Sequence, residues 1–238
     1  MSDESAVLSL AWIRVRHEPA AQWAFAHARA AEIDAHWRAL VAERPQLYDG
    51  PVLLMRDARI GGNGLEATSF VTNFRNFLAW RDFGFPDESV VNLFAMAALR
   101  SADGAWMMGR MGLHTSNAGQ IYFPAGTPDL DDLKDGEVDL DGSVYRELEE
   151  ETGIAKADVR PQPGWRVVID GRRIACLKIL QCPQAAAALS ARAAAFLARE
   201  ARPELDGLVA VRGVADLDAA TMPPFIQTFV RGLAAQPG

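Results

Sequence analysis

The chain has 238 residues, half of them hydrophobic and 23% charged, which suits a packed core and excludes a disordered, coiled-coil or collagen-like chain. Its formal charge of −7 gives no bulk attraction for nucleic acid or anionic lipid. Only Cys176 and Cys182 are available, too few for a disulfide framework, and no apolar run of about 18 residues could span a membrane. Residues 1–19 lack a basic start followed by an apolar run, so no signal peptide is expected and a cytoplasmic location is.

In chain order, residues 18–44 are Ala-rich, with Trp23, Phe25, Ile33, Trp37, Leu40 and Val41 at helical spacing, and predict one helix ended by the Pro45–Pro51 turn. PVLLMRDARI and LEATSF predict a β-hairpin about the Gly61–Gly64 turn. Residues 71–83 read as a helix, broken by GFPDE. A β-rich block follows in VVNLFAMAALR, AWMMGRM and GQIYFPAG. SVYRELEEET carries strong helix formers, and Gly153 stands where a C-cap is needed. Two strands flank the Asp170–Gly171 turn, AAAALSARAAAFLARE is helical, DGLVAVRG is a strand, and PPFIQTFVRGLAA is a terminal helix that starts on proline. The class is α/β, expected as an extension over 1–88 (helix, β-hairpin, helix) and a main domain over 89–238.

The acid is concentrated. From Asp129 to Glu151 there are eleven acids against Lys134 and Arg146, a balance of −9 that leaves the rest of the chain at +2. Glu147, Glu150 and Glu151 stand at i, i+3 and i+4, so on a helix their carboxylates share one face. Like charges at that spacing destabilise an isolated helix and invite a counter-charge; hard divalent cations prefer such oxygens. Arg146 can hold a neighbouring carboxylate by paired hydrogen bonds, and Leu148 points the other way as an anchor.

The run RELEEETGI, Arg146 to Ile154, resembles the second half of the Nudix box, G-x5-E-x7-R-E-U-x-E-E-x-G-U with U aliphatic. Arg146, Glu147, Leu148, Glu150, Glu151, Gly153 and Ile154 fall on its fixed positions. The first half departs: Val138 stands where the leading Glu belongs, with Glu137 one step earlier, and Asp132 stands where the leading Gly belongs. QIYFPAGTPD is similar to the Phe-Pro-Gly-Gly segment that precedes the box, with Ala125 for one glycine, so a lengthened Asp-rich loop is expected between Gly126 and the helix.

The resemblance implies an α/β/α sandwich with a mixed sheet and hydrolysis of a nucleoside diphosphate linked to another group, with Mg²⁺ or Mn²⁺. It implies Glu147, Glu150 and Glu151 as metal ligands, with Gly126 and Glu137 as further candidates, and Arg146 as the orienting residue. The general base is either Glu147 or an acid on a later loop, for which Glu204 is the candidate. Substrate contacts are expected from Arg110, at a strand end facing the loop before the box, from Phe123 beside it, and from Arg75 and Arg81 in the extension. HWRALVAERPQLYDGPVLL followed by SFVTNFRNFLAW is similar to the extension of Nudix enzymes acting on UDP-sugars, which places a nucleotide sugar first. Arg110, Gly119, Phe123 and Pro124 match part of a coenzyme A-cleaving pattern, the second reading, while Met111 and Thr115 depart from it. A Nudix-fold binding or regulatory protein is the competing class; retention of all three helix carboxylates argues against it. The aromatic extension is also a candidate homodimer surface.

Overall fold

Alternation along residues 90–100 sends Leu93, Ala95, Ala97 and Leu99 into one apolar cluster and Phe94, Met96 and Ala98 into another. A strand with two apolar faces must be covered on both sides, and this one is the centre of the molecule. The computed structural model describes residues 6–235.

The N-terminal part runs β1 (Leu8–Leu10), β2 (Trp12–His17), α1 (Ala24–Ala28), α2 (Ala30–Glu43), β3 (Pro51–Gly61), β4 (Gly64–Asn73) and α3 (Phe74–Asp82). The remainder is β5 (Val90–Arg100), β6 (Trp106–Met111), β7 (Ile121–Tyr122), β8 (Leu133–Lys134), β9 (Glu137–Val138), α4 (Leu140–Thr152), β10 (Arg160–Pro161), β11 (Trp165–Asp170), β12 (Arg173–Gln181), α5 (Ala186–Leu197), β13 (Leu205–Val211) and α6 (Pro224–Ala234). The sheet is mixed: β5 pairs β12 in parallel and β2 pairs β4 in parallel, while the other pairs are antiparallel. Leu140, Val144 and Leu148 of α4 cover one face, joined by Leu189 of α5; Phe225, Ile226, Phe229 and Val230 of α6 cover the other. The result is an α/β fold with helices on both sides of the sheet.

The extension differs from the expectation in two ways. The single helix over 18–44 is interrupted at Arg29, and strands β1 and β2 precede it. Short strands carry little pattern of their own and are held by their partners: β1 by β11, β2 by β4 and β9. The extension is also continuous with the main sheet, because β3 pairs β5 through Met55–Val91 and Arg56–Val90. Its aromatics are used internally. Trp23, Phe25, Phe70, Phe77 and Trp80 are buried in a third cluster with Ile33 and Leu54, with Trp37 packed against it.

One edge of β5 positions the site. β3 takes its first residues and β6 its last, Leu99 and Arg100, so the two partners diverge. The segment after β7 fills the split: Ala97 N–H donates to the Pro124 carbonyl at 2.9 Å, and Leu53 N–H donates to the Pro128 carbonyl at 2.7 Å. Ala125, Gly126 and Thr127 are thereby pinned between the extension and the main strands.

Candidate active site

Helix α4 begins at Asp139, whose carboxylate accepts from Gly142 N–H at 2.8 Å, and ends at Gly153 in the left-handed region at φ 69°. With Leu148 fully buried against the sheet, Glu147 and Glu151 point beneath the pinned segment and Glu150 stays exposed. Ala125 N–H donates to Glu151 Oε1 at 3.2 Å, while Glu151 Oε2 is buried without a partner. Gly126 leaves room for the Glu147 carboxylate: a Cβ there would stand 2.3 Å from Glu147 Oε1 and displace it.

The acids are electrostatically linked. Burial pushes Glu147 up to about 7; Arg146 opposes the rise, and Glu150, Glu204 and Asp132 add to it. Burial also raises Glu151 well above the ordinary carboxylate range, and the charges of Glu147 and Glu204 reinforce the shift. Arg146 is the shared counter-ion, 2.8 Å from Glu147, 2.9 Å from Asp132 and 3.4 Å from Glu150. As these side chains stand, no three His, Cys, Asp or Glu groups among the described residues are placed to ligate an ion.

A cavity of about 930 Å³ opens over this face. Arg146, Glu147, Glu150 and Gly126 form one side, Glu204 and Arg202 come from the loop before β13, and Gln46, Tyr48 and Val52 come from the extension. Of the residues named from the sequence, Glu147, Glu150, Glu204, Arg146 and Gly126 line this one cavity. Glu151 lies beneath them, within reach of Ala125.

Other expected residues stand elsewhere. Glu137 is on β9, exposed, with its carboxylate 3.5 Å from Arg14, because the β8–β9 hairpin folds back onto β2. The loop acid that reaches the helix is Asp132, almost fully buried against Arg146. Arg110 is exposed on β6 next to Met111; Met111 lines the cavity, so strand alternation turns Arg110 away. Phe123 is fully buried, edge-on to Trp106 at 5.9 Å and Phe229 at 5.5 Å, and serves the core. Arg75 is tied to Asp34 at 3.0 Å and Asp49 at 3.2 Å and lines neither this cavity nor its neighbour. Arg81 lines an adjoining compartment.

Sequence reasoning missed Asp132, Arg202, Gln46, Tyr48 and His114; the last four line the cavity. Arg202 carried a signal, two residues before Glu204 in ARPEL. Tyr48 carried none, since its place at the cavity wall depends on pairing between β3 and β5.

No protein-family model and no curated protein matches the chain. Among solved structures it is similar to a MutT protein from Methanosarcina mazei Go1 at 18% identity, over 59% of this chain and 90% of that one, with a TM-score of 0.39. It is similar to RenU, a Nudix hydrolase from M. smegmatis, at 15% identity, over 60% and 81% of the two chains, with a TM-score of 0.37. A bifunctional NMN adenylyltransferase/ADP ribose pyrophosphatase from Francisella tularensis matches at 14% identity, over 68% of this chain and 46% of that one, with a TM-score of 0.41. Likeness at this level carries nothing about activity, and the chemistry of the site rests on its own side chains.

Proposed function

We propose that this chain is a Nudix-type hydrolase that uses Mg²⁺ or Mn²⁺ to cleave the diphosphate linkage of a nucleoside diphosphate joined to another group, a nucleotide sugar first. The observation that carries the reading is that Glu147, Glu150 and Glu204 line one cavity with Gly126, above Glu151, whose Oε2 is buried and unpartnered. One arginine, Arg146, faces two of these carboxylates, and a hard cation with oxygen preference would offset the repulsion that remains. Glu147, Glu150 and Glu151 would hold it, with the Gly126 carbonyl as a further donor. When bound, the cation supplies charge neutralisation at the diphosphate oxygens.

The chain's own groups account for the rest. Arg146 fixes Glu147 and Glu150 in place. Arg202, exposed at the cavity wall, neutralises the outer phosphate. Glu204 or Glu147 takes a proton from water as its oxygen bonds to one phosphorus; the phosphoanhydride P–O bond breaks and its oxygen leaves as a phosphate. The Tyr48 ring, 79% exposed, borders the cavity on the extension side.

The test is hydrolysis of a panel of UDP- and GDP-sugars, ADP-ribose, NADH, dinucleoside polyphosphates and coenzyme A, with Mg²⁺ or Mn²⁺, beside Glu150→Gln. Metal-dependent cleavage that falls at least a hundredfold in the variant is expected. Metal binding without turnover on any member would move the reading to a non-catalytic nucleotide-binding protein.

A further inference from the structure

The loop between β6 and β7, residues 112–120, gives His114, Thr115, Ser116 and Asn117 to the wall of the main cavity. Its apolar side chains do not hold it, since Leu113 is 81% exposed and Ala118 is exposed too. Its bonds are polar. The Thr115 N–H and hydroxyl both donate to the Gly112 carbonyl, at 3.1 Å and 2.9 Å, and fold the loop on itself. Gly112 N–H donates to the Glu204 carbonyl at 2.7 Å, and Asn117 Nδ2 donates to the Tyr122 hydroxyl at 3.0 Å. These two bonds tie the ends of the loop to the main domain.

Its middle is held from the extension. The Gln46 side-chain amide donates to the His114 carbonyl, and the Arg44 guanidinium donates to the Ser116 carbonyl at 3.4 Å. Gln46 sits on a stiff turn. Pro45 precedes it with a fixed φ, and Leu47 N–H donates to the Arg44 carbonyl at 3.1 Å. The start of α3 clamps the far side of the turn: Phe74 N–H donates to the Gly50 carbonyl at 2.9 Å, and Arg75 N–H donates to the Asp49 carboxylate at 2.9 Å. The Arg75 guanidinium adds an ion pair with Asp49 at 3.2 Å. Arg75 therefore serves the site from behind the wall.

A loop fixed only at its ends samples many wall geometries, and a ligand must then bear the cost of ordering it. A bond that fixes the middle removes that freedom before the ligand arrives. We propose that Gln46 is a positioning residue for the substrate, pre-forming the His114–Asn117 wall of the cavity from the extension side. The extension is then part of the binding apparatus. The consequence for turnover rests on the hydrolase reading; the holding of the loop does not. None of these bonds reaches α4, so substrate binding depends on Gln46 and the chemical step does not.

Gln46→Met keeps the length of the side chain and removes the donor. Hydrogen exchange of the full chain, without metal, is compared over residues 112–120 and, as a control, residues 93–99 of β5. Exchange is expected to quicken at least fivefold over the loop and to stay unchanged in β5. Unchanged loop exchange would overturn the proposal, as would equal quickening in β5, the mark of a general loss of stability. On a panel substrate that the wild type cleaves, KM is expected to rise about tenfold with kcat nearly unchanged. A fall in kcat at constant KM, which loss of folded enzyme would give, would overturn it as well. A wild type that cleaves no panel member fails the hydrolase reading, and exchange alone then decides whether Gln46 holds the loop.

Discussion

Arg146 meets the carboxylate of Asp132 at 2.9 Å, an ion pair that ties the acidic loop to the helix following it. Asp132 is 3% exposed and its other oxygen accepts from Asp129 N–H at 3.1 Å, so the loop's short helical turn and α4 share one anchor. Arg146→Ala strands a buried charge and is expected to destabilise the fold by about 3–5 kcal/mol. Arg146→Lys keeps a charge but loses the planar fork, and falls between. Urea unfolding of Arg146→Ala, Asp132→Asn and the double variant checks this; additive losses would mean that the pair is not coupled.

The metal-free protein is expected to lose stability as pH rises from about 4.5 to about 7. Glu147 in the fold holds its proton up to about 7, whereas the unfolded chain releases it near the ordinary value of 4.5. Within that window the folded state binds more protons than the unfolded one, so stability falls with rising pH. Glu151 is raised as well and adds in the same direction. Calorimetry in EDTA at pH 5 and pH 8 should give the lower Tm at pH 8, by a few degrees. Mg²⁺ or Mn²⁺ should recover it, and Glu147→Gln should flatten the dependence.

Gly126→Ala separates the site from the fold. The added methyl displaces only the end of the Glu147 side chain, so Tm should change little. Hydrolysis should fall at least tenfold, because the carboxylate can no longer lie under the Gly126 segment. Full activity in this variant would show that the close approach has no role in turnover.

Gly153→Ala tests the helix end. A side chain at φ 69° costs about 1–2 kcal/mol, and its Cβ would stand 2.6 Å from the Phe196 ring. The urea midpoint should fall accordingly, and Gly153→Val should fall further.

Much of the architecture was legible in the residues. The β3–β4 hairpin, α3, β5, β6, the β11–β12 hairpin, α5, β13 and α6 lie where periodicity and turn residues put them, since those signals act within a few residues. β1 and β2 were not legible, because their stability comes from β11, β4 and β9. The break at Arg29 was hidden in an Ala-rich stretch with no Gly or Pro to mark it.

The sequence by itself put Glu147, Glu150 and Glu151 at i, i+3 and i+4 of one helix, and it located the left-handed cap at Gly153. It also singled out Glu204. Tertiary structure decided which loop acid joins them: Asp132 rather than Glu137, since the β8–β9 hairpin folds onto β2 and carries Glu137 to Arg14. It likewise turned Arg110 outward, committed Phe123 to the core and brought Tyr48 and Arg202 to the cavity. Those outcomes depend on strand pairing between residues far apart in the chain, where local propensity carries no information.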